Sequence, residues 1–218
     1  MAEKNTQVLV SKEIGKVSVS ILEAKKPIAA LVIAHGAGAG KDHPFMKALA
    51  LAFQNVGITT IRYNFPFMEN KKGRPDTPVV AGKTVGALIG FAAKKYPKLP
   101  LLASGKSFGG RMTSQLLSNT PDERVSGIVF FGFPLHPPGA PDIKRGEHLR
   151  ELTVPSLFLQ GTRDALAEEK LIKRVVKKLP TATLMLLEGA DHSFKAGKRQ
   201  WISELADMTK AWIEELKR

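Results

Sequence analysis

The sequence predicts an α/β protein, with a doubly wound, mostly parallel sheet, antiparallel edge strands at its N-terminal side and no cap domain. Three observations predict it. Apolar runs without alternation, such as AALVIA at residues 29–34, read as strands covered on both faces. Stretches of helical spacing lie between such runs, so strand and helix alternate for most of the chain. The first two runs are instead short and separated by turn residues, as antiparallel edge strands are. A chain of 218 residues supports one well-buried core, so residues 1–218 are read as a single domain.

Taken in order, residues 7–10 and 16–22 are the edge strands, the second placing Val17, Val19 and Ile21 on one face. The AALVIA strand ends in the glycine loop HGAGAG (35–40), followed by a helix over 42–54 and a strand over 57–63. Residues 64–78, rich in Pro, Gly and charge, read as a loop, and 79–96 as a long helix. A strand over 99–103, a helix over 110–120 and a strand over 126–131 follow. Pro134, Pro137, Pro138 and Pro141 break the segment 132–153, leaving room for a turn of helix near His148 and no folded cap. Strands over 155–160 and 182–187, a helix over 165–178 and an amphipathic closing helix over 197–217 complete the alternation.

Composition removes several function classes. The chain has no cysteine, which excludes disulfides, thiolate catalysis and cysteine-based zinc sites. The start MAEKNTQVLV has no apolar signal region and no stretch approaches a membrane span, so the chain is expected in the cytoplasm. Its net charge of +13 raises the question of a polyanionic partner. Its lysines are spread over almost every segment and do not alternate with aromatics in one stripe, so they read as a solvated surface.

The chemistry centres on G-K-S-F-G at residues 105–109, between the apolar run LLAS and a helical stretch. Chance supplies such a pentapeptide in about one chain in ten of this composition, so its context must carry the reading. Strand, abrupt turn and helix make it a nucleophile elbow: the central serine is driven toward positive φ, and side chains two positions either side are excluded. Gly105 and Gly109 meet that demand. A phosphate-loop reading fails at each candidate, because the leading glycine is replaced by His35, Thr77 or Pro100 ahead of Gly40-Lys41, Gly82-Lys83 and Gly105-Lys106. HGAGAG is not a dinucleotide fingerprint either, since Lys41 takes the place of the last glycine.

A serine hydroxyl at neutral pH needs a base, an orienting acid and oxyanion donors. In a doubly wound sheet each should sit at the carboxyl end of a strand. Asp164 is the first carboxylate after the strand ending at Gln160, and His192 is the one histidine in the last seventy residues, after the strand ending at Leu187. The order Ser107, Asp164, His192 is that of hydrolases with a nucleophile elbow. Asp164 as the N-cap of a helix starting at Ala165 and His192 as an ordinary loop residue are the competing readings. Asp191, next to His192, is poorly placed to reach round to the far imidazole nitrogen. The oxyanion donors are expected to be the N–H of Phe108 and, from the glycine loop, that of Ala37, or else Gly38. Phe65, Phe67 and Met68 either wall an acyl pocket or pack in the core. His35 and His43 read as supports of the glycine loop, and His136 and His148 as surface residues. No metal or cofactor is called for.

The stretches HGAGAGKDHPFM (35–46), RYNFPFME (62–69), GKSFGGRM (105–112), FPLHPPGAP (133–141) and GADHSF (189–194) carry a resemblance over nearly the whole chain. It resembles the α/β-hydrolase superfamily, within it the small capless dienelactone-hydrolase-like members similar to testis-expressed protein 30. The resemblance implies the α/β-hydrolase fold and the triad Ser107, Asp164 and His192. Dienelactone hydrolases proper use a cysteine nucleophile where this chain has Ser107. The expected function is a serine hydrolase acting on a small-molecule acyl ester or thioester through an acyl-enzyme. The alternative is a non-catalytic hydrolase-fold scaffold that docks an acidic partner or nucleic acid through its basic surface.

Overall fold

In the computed structural model, which describes residues 2–216, the chain opens on an antiparallel pair, β1 (Lys4–Ser11) and β2 (Gly15–Leu22), joined at Gly15 with φ 89°. Strand β3 (Ala29–Ala34), helix α1 (Pro44–Asn55), strand β4 (Ile58–Tyr63), the single turn α2 (Pro66–Glu69) and the long α3 (Pro78–Lys95) follow. Next come β5 (Leu101–Lys106), α4 (Phe108–Asn119), β6 (Val125–Phe131) and a 3-10 helix (Lys144–Glu151). The chain closes with β7 (Ser156–Gly161), α5 (Glu169–Val176), β8 (Ala182–Leu187), the two-residue strands β9 (Lys195–Ala196) and β10 (Arg199–Gln200), and α6 (Ile202–Glu215).

The main sheet has the order β1-β2-β4-β3-β5-β6-β7-β8. β2 pairs antiparallel with β1 and β4, and every pairing from β4 to β8 is parallel. The continuous apolar runs have the expected cause. Along β3, Ala30, Val32 and Ala34 face the layer holding α3, α4 and α5, while Ala29, Leu31 and Ile33 face the layer of α1 and α6. Each face has its own core. Leu88, Ile89, Met112 and Ile172 fill one, and Leu49, Phe53, Leu205 and Trp212 the other. Among the described residues no helix is long and apolar enough to cross a membrane.

Several boundaries move for physical reasons. β5 runs to Lys106, because its parallel ladder with β6 continues to the pair Lys106 and Phe131, two positions into the glycine motif. The helix expected from Ala165 begins only at Glu169, after a turn closed by Ala167 N–H donating to Asp164 O at 3.1 Å. The closing helix begins at Ile202, since 195–200 fold into the β9–β10 hairpin; its expected end at 217 lies outside the described residues. The segment read as the loop 64–78 contains α2, and the Pro-rich excursion holds eight residues of 3-10 helix against α4, more than the single turn expected.

Two histidines read as surface residues are not. His136 is 1% exposed and bridges the excursion to α5, its Nδ1–H donating to Pro137 O at 2.8 Å while Nε2 accepts from Glu168 N–H at 3.0 Å. His148 is part-buried against α4, with Nε2 2.7 Å from Ser114 Oγ. In each, Nε2 meets a group more than thirty positions away, which no local pattern discloses.

Candidate active site

Ser107 occupies a strained turn between β5 and α4, at φ 51° and ψ −115°. Its glycine neighbours explain how the turn closes. A Cβ on Gly105 would lie 2.2 Å from Gly110 N, and one on Gly109 2.6 Å from the carbonyl oxygens of Ala34 and His35. Strand and helix backbones therefore touch where the motif requires it. Ser107 N–H donates to Phe131 O at 3.3 Å. One residue on, Gly132 adopts φ 70°, and a Cβ there would lie 3.4 Å from both Cε1 and Nδ1 of His192. The end of β6 is thus wedged between the serine turn and the imidazole.

The loops after β7 and β8 bring Asp164 and His192 together. His192 Nδ1–H donates to Asp164 Oδ2 at 2.7 Å, with the Asp164 side chain fully buried and that of His192 25% exposed. Leu166 N–H donates to Asp164 Oδ1 at 2.8 Å, so the carboxylate closes its own turn and orients the imidazole at once. The helix-cap reading of Asp164 is corrected to this turn. Gly161 allows the two loops to meet, since a Cβ there would lie 2.2 Å from Ala190 O. His192 Nε2 is buried and has no hydrogen-bond partner among the described residues. In unliganded sites the bond from base to nucleophile is often open and tightens with substrate.

Asp191 is engaged elsewhere. Its Oδ1 accepts from Ser193 N–H at 2.8 Å and Lys195 N–H at 2.9 Å, which folds the loop bearing His192. Gln160, which the sequence reading used only as a strand end, is fully buried. Its Nε2 donates to Asp164 Oδ2 at 2.6 Å while its Oε1 accepts from Phe133 N–H at 2.9 Å. A glutamine closing the apolar run SLFLQ was the available signal, because a buried amide there needs polar partners.

The glycine loop lies beside the serine: a Cβ on Gly36 would be 3.8 Å from Ser107 Cβ. Phe108 N–H, at the first turn of α4, and the N–H groups of Ala37 and Gly38, both exposed, donate to no protein acceptor among the described residues. Such free N–H groups are what an oxyanion hole is built from. His35 holds this loop down. It is fully buried, donates from Nδ1 to Gly36 O at 2.7 Å and accepts at Nε2 from Phe65 N–H at 3.0 Å. His43 is exposed and caps α1 by accepting from Phe45 N–H at 3.2 Å. Phe65 and Phe67 are 0% and 2% exposed and pack edge-on against His35 and Phe108, so core packing is what they do. Met68 stays part-exposed, its Cε 3.3 Å from where a Cβ on Gly40 would sit.

Burial pushes the His35 imidazole down to about 4. In the unfolded chain it titrates near the ordinary 6.5, so between these values the unfolded state binds the extra proton. Stability is full above about pH 6.5 and is lost as pH falls toward 4, by roughly 3 kcal/mol from this group. His148, also pushed down to about 4 by burial and by Arg111, adds the same sign. Urea midpoints should fall between pH 7 and pH 4.5, and fall less in His35→Asn; equal falls in both proteins would refute the assignment.

The profile of a family described as alpha/beta hydrolase domain matches residues 27–217. The fold is similar to that of dienelactone hydrolase from Anabaena variabilis, at 18% identity over 98% of this chain and 97% of that one, with a TM-score of 0.79. It is similar to an alpha-beta serine hydrolase homologue from Coxiella burnetii, at 18% identity over 99% and 98% of the two chains and a TM-score of 0.74. A serine hydrolase without a lid from Xanthomonas campestris matches at 15% identity over 99% and 94%, with a TM-score of 0.73. These structures share their overall fold with this chain, and on the profile match over residues 27–217 the chain belongs to the alpha/beta hydrolase family.

Proposed function

We propose that this chain is a serine hydrolase of the carboxylic ester hydrolase class, cleaving small acyl esters or thioesters through an acyl-enzyme on Ser107. The observation that carries the reading is the buried Asp164 carboxylate 2.7 Å from His192 Nδ1, with the far nitrogen, Nε2, unpartnered among the described residues. That hydrogen bond sets the tautomer: with the proton on Nδ1, Nε2 carries a lone pair and can act as a base. His192 takes the Ser107 proton as Oγ attacks the carbonyl carbon. The oxyanion of the tetrahedral intermediate is held by the N–H groups of Phe108 and Ala37, with Gly38 as the alternative donor. The carbon–oxygen or carbon–sulfur bond then breaks, and His192 returns the proton to the leaving alcohol or thiol. Water, deprotonated by His192, attacks the acyl-enzyme and releases the acid and free Ser107.

The steps use side chains, backbone donors and water only. With no cap over the strand ends, little apolar surface is on offer to a long acyl chain, which favours short or extended substrates. A panel of p-nitrophenyl esters of graded chain length tests this. The expected result is turnover highest for acetate to butyrate and absent in Ser107→Ala; no turnover of any ester by folded protein would refute it.

A further inference from the structure

Lys106, between Gly105 and the serine, is a residue that the hydrolytic scheme leaves unused. Its backbone ends β5, and its side chain turns toward the histidine loop. The ammonium donates to the backbone carbonyl oxygen of His192 at 2.6 Å and lies 5.4 Å from the centre of the Phe194 ring. A Cβ on Gly132 would be 3.2 Å from Lys106 Nζ and 3.4 Å from His192 Cε1 and Nδ1, so ammonium and imidazole flank one point. The charged or titratable groups facing the ammonium are Asp164 from the loop after β7, and Asp191 and His192 from the loop after β8. Burial lowers Lys106 to about 8 against the pull of both carboxylates, which leaves it mostly charged at neutral pH.

The hydrogen bond joins the strand that presents Ser107 to the loop that presents His192, 86 positions apart in sequence. A loop free to shift would carry the imidazole off its line to Ser107.

Resting on the serine hydrolase reading, we propose that Lys106 is a positioning residue of this site: its ammonium tethers the His192 backbone to the serine-bearing strand and so holds the imidazole in register with Ser107.

Lys106→Met removes charge and donor at similar volume. It is expected to lower kcat for p-nitrophenyl acetate about tenfold with little change in KM. Because the chain has no cysteine, Lys106→Cys offers a selective rescue. Alkylation with 2-bromoethylamine in mild denaturant, followed by refolding, rebuilds a lysine-like ammonium; alkylation with 1-bromopropane gives its neutral counterpart. The aminoethyl form should regain most of kcat, and the propyl form should behave as Lys106→Met.

Wild-type kcat in the Met and propyl forms would overturn the proposal. So would failure of both to fold, which would make Lys106 structural. The proton resonance on His192 Cε1, read by NMR at one pH, should move and broaden in the Met and propyl forms and return in the aminoethyl form. If wild-type protein neither turns over esters nor is labelled at Ser107, the hydrolase reading fails, and this resonance still decides whether Lys106 holds the His192 loop.

Discussion

Asp164→Asn is expected to lower kcat on a short p-nitrophenyl ester by about 10⁴-fold, the loss seen when the orienting acid of a serine triad becomes an amide. The hydrogen bonds around Asp164 say why. Leu166 N–H donates to Oδ1, so an asparagine keeps its oxygen there and places its NH₂ where Oδ2 stood. That position faces two donors, Gln160 Nε2 and His192 Nδ1. Gln160 is held from flipping, because its Oε1 accepts from Phe133 N–H. The imidazole must then move its proton to Nε2 to accept from the new NH₂, and in that tautomer it cannot take a proton from Ser107. A buried donor facing a donor also costs about 1–3 kcal/mol of stability. Asp191→Asn is the control. Its oxygen can still accept from Ser193 and Lys195 N–H, so kcat should change by less than about threefold. A large loss in Asp191→Asn with a small one in Asp164→Asn would reverse the assignment.

Gly109→Ala is expected to destabilise the fold by more than about 3 kcal/mol, at or beyond the upper end of overpacking costs. The new Cβ would meet the carbonyl oxygens of Ala34 and His35 at 2.6 Å and the carbonyl carbon of Ala34 at 2.7 Å. All three atoms are backbone, at the end of β3, so no side chain can swing aside. Relief requires the start of α4 to lift from the sheet, carrying Ser107 and Phe108 with it. Gly105→Ala, 2.2 Å from Gly110 N, should be at least as damaging. At Gly38 a Cβ meets nothing within 4 Å, so Gly38→Ala should leave the urea midpoint within error. Equal midpoints for Gly109→Ala and Gly38→Ala would show that the close approach of β3 and α4 is wrong.

What was legible in the sequence is what depends on period and chain order. The unbroken run AALVIA announced a strand with two covered faces, and β3 divides its side chains between two cores. The glycines of GKSFG announced a backbone contact that only a missing side chain permits. The pairing of Asp164 with His192 was legible because the fold class sets the loops after β7 and β8 side by side at the carboxyl edge of the sheet, and the two side chains meet at 2.7 Å. The elements that moved depend on long-range pairing. β5 extends through Lys106 because β6 lies beside it, and the hairpin at 195–200 forms where helical spacing alone would start a helix. Buried polar residues were the least legible. Gln160 and His136 are defined by the N–H groups of Phe133 and Glu168, dozens of positions away, and their own neighbours say nothing of it. Lys106 was read only as part of a failed phosphate loop, because its partner, the His192 carbonyl, comes 86 positions later.

The central claim is that Ser107 is the nucleophile of an acyl-transfer site, and the most direct measurement is covalent. Folded protein treated with a fluorophosphonate probe should gain one adduct by intact mass, mapped by peptide sequencing to Ser107 and absent from Ser107→Ala. Absence of an adduct on folded wild-type protein, or an adduct that persists in Ser107→Ala, would contradict it.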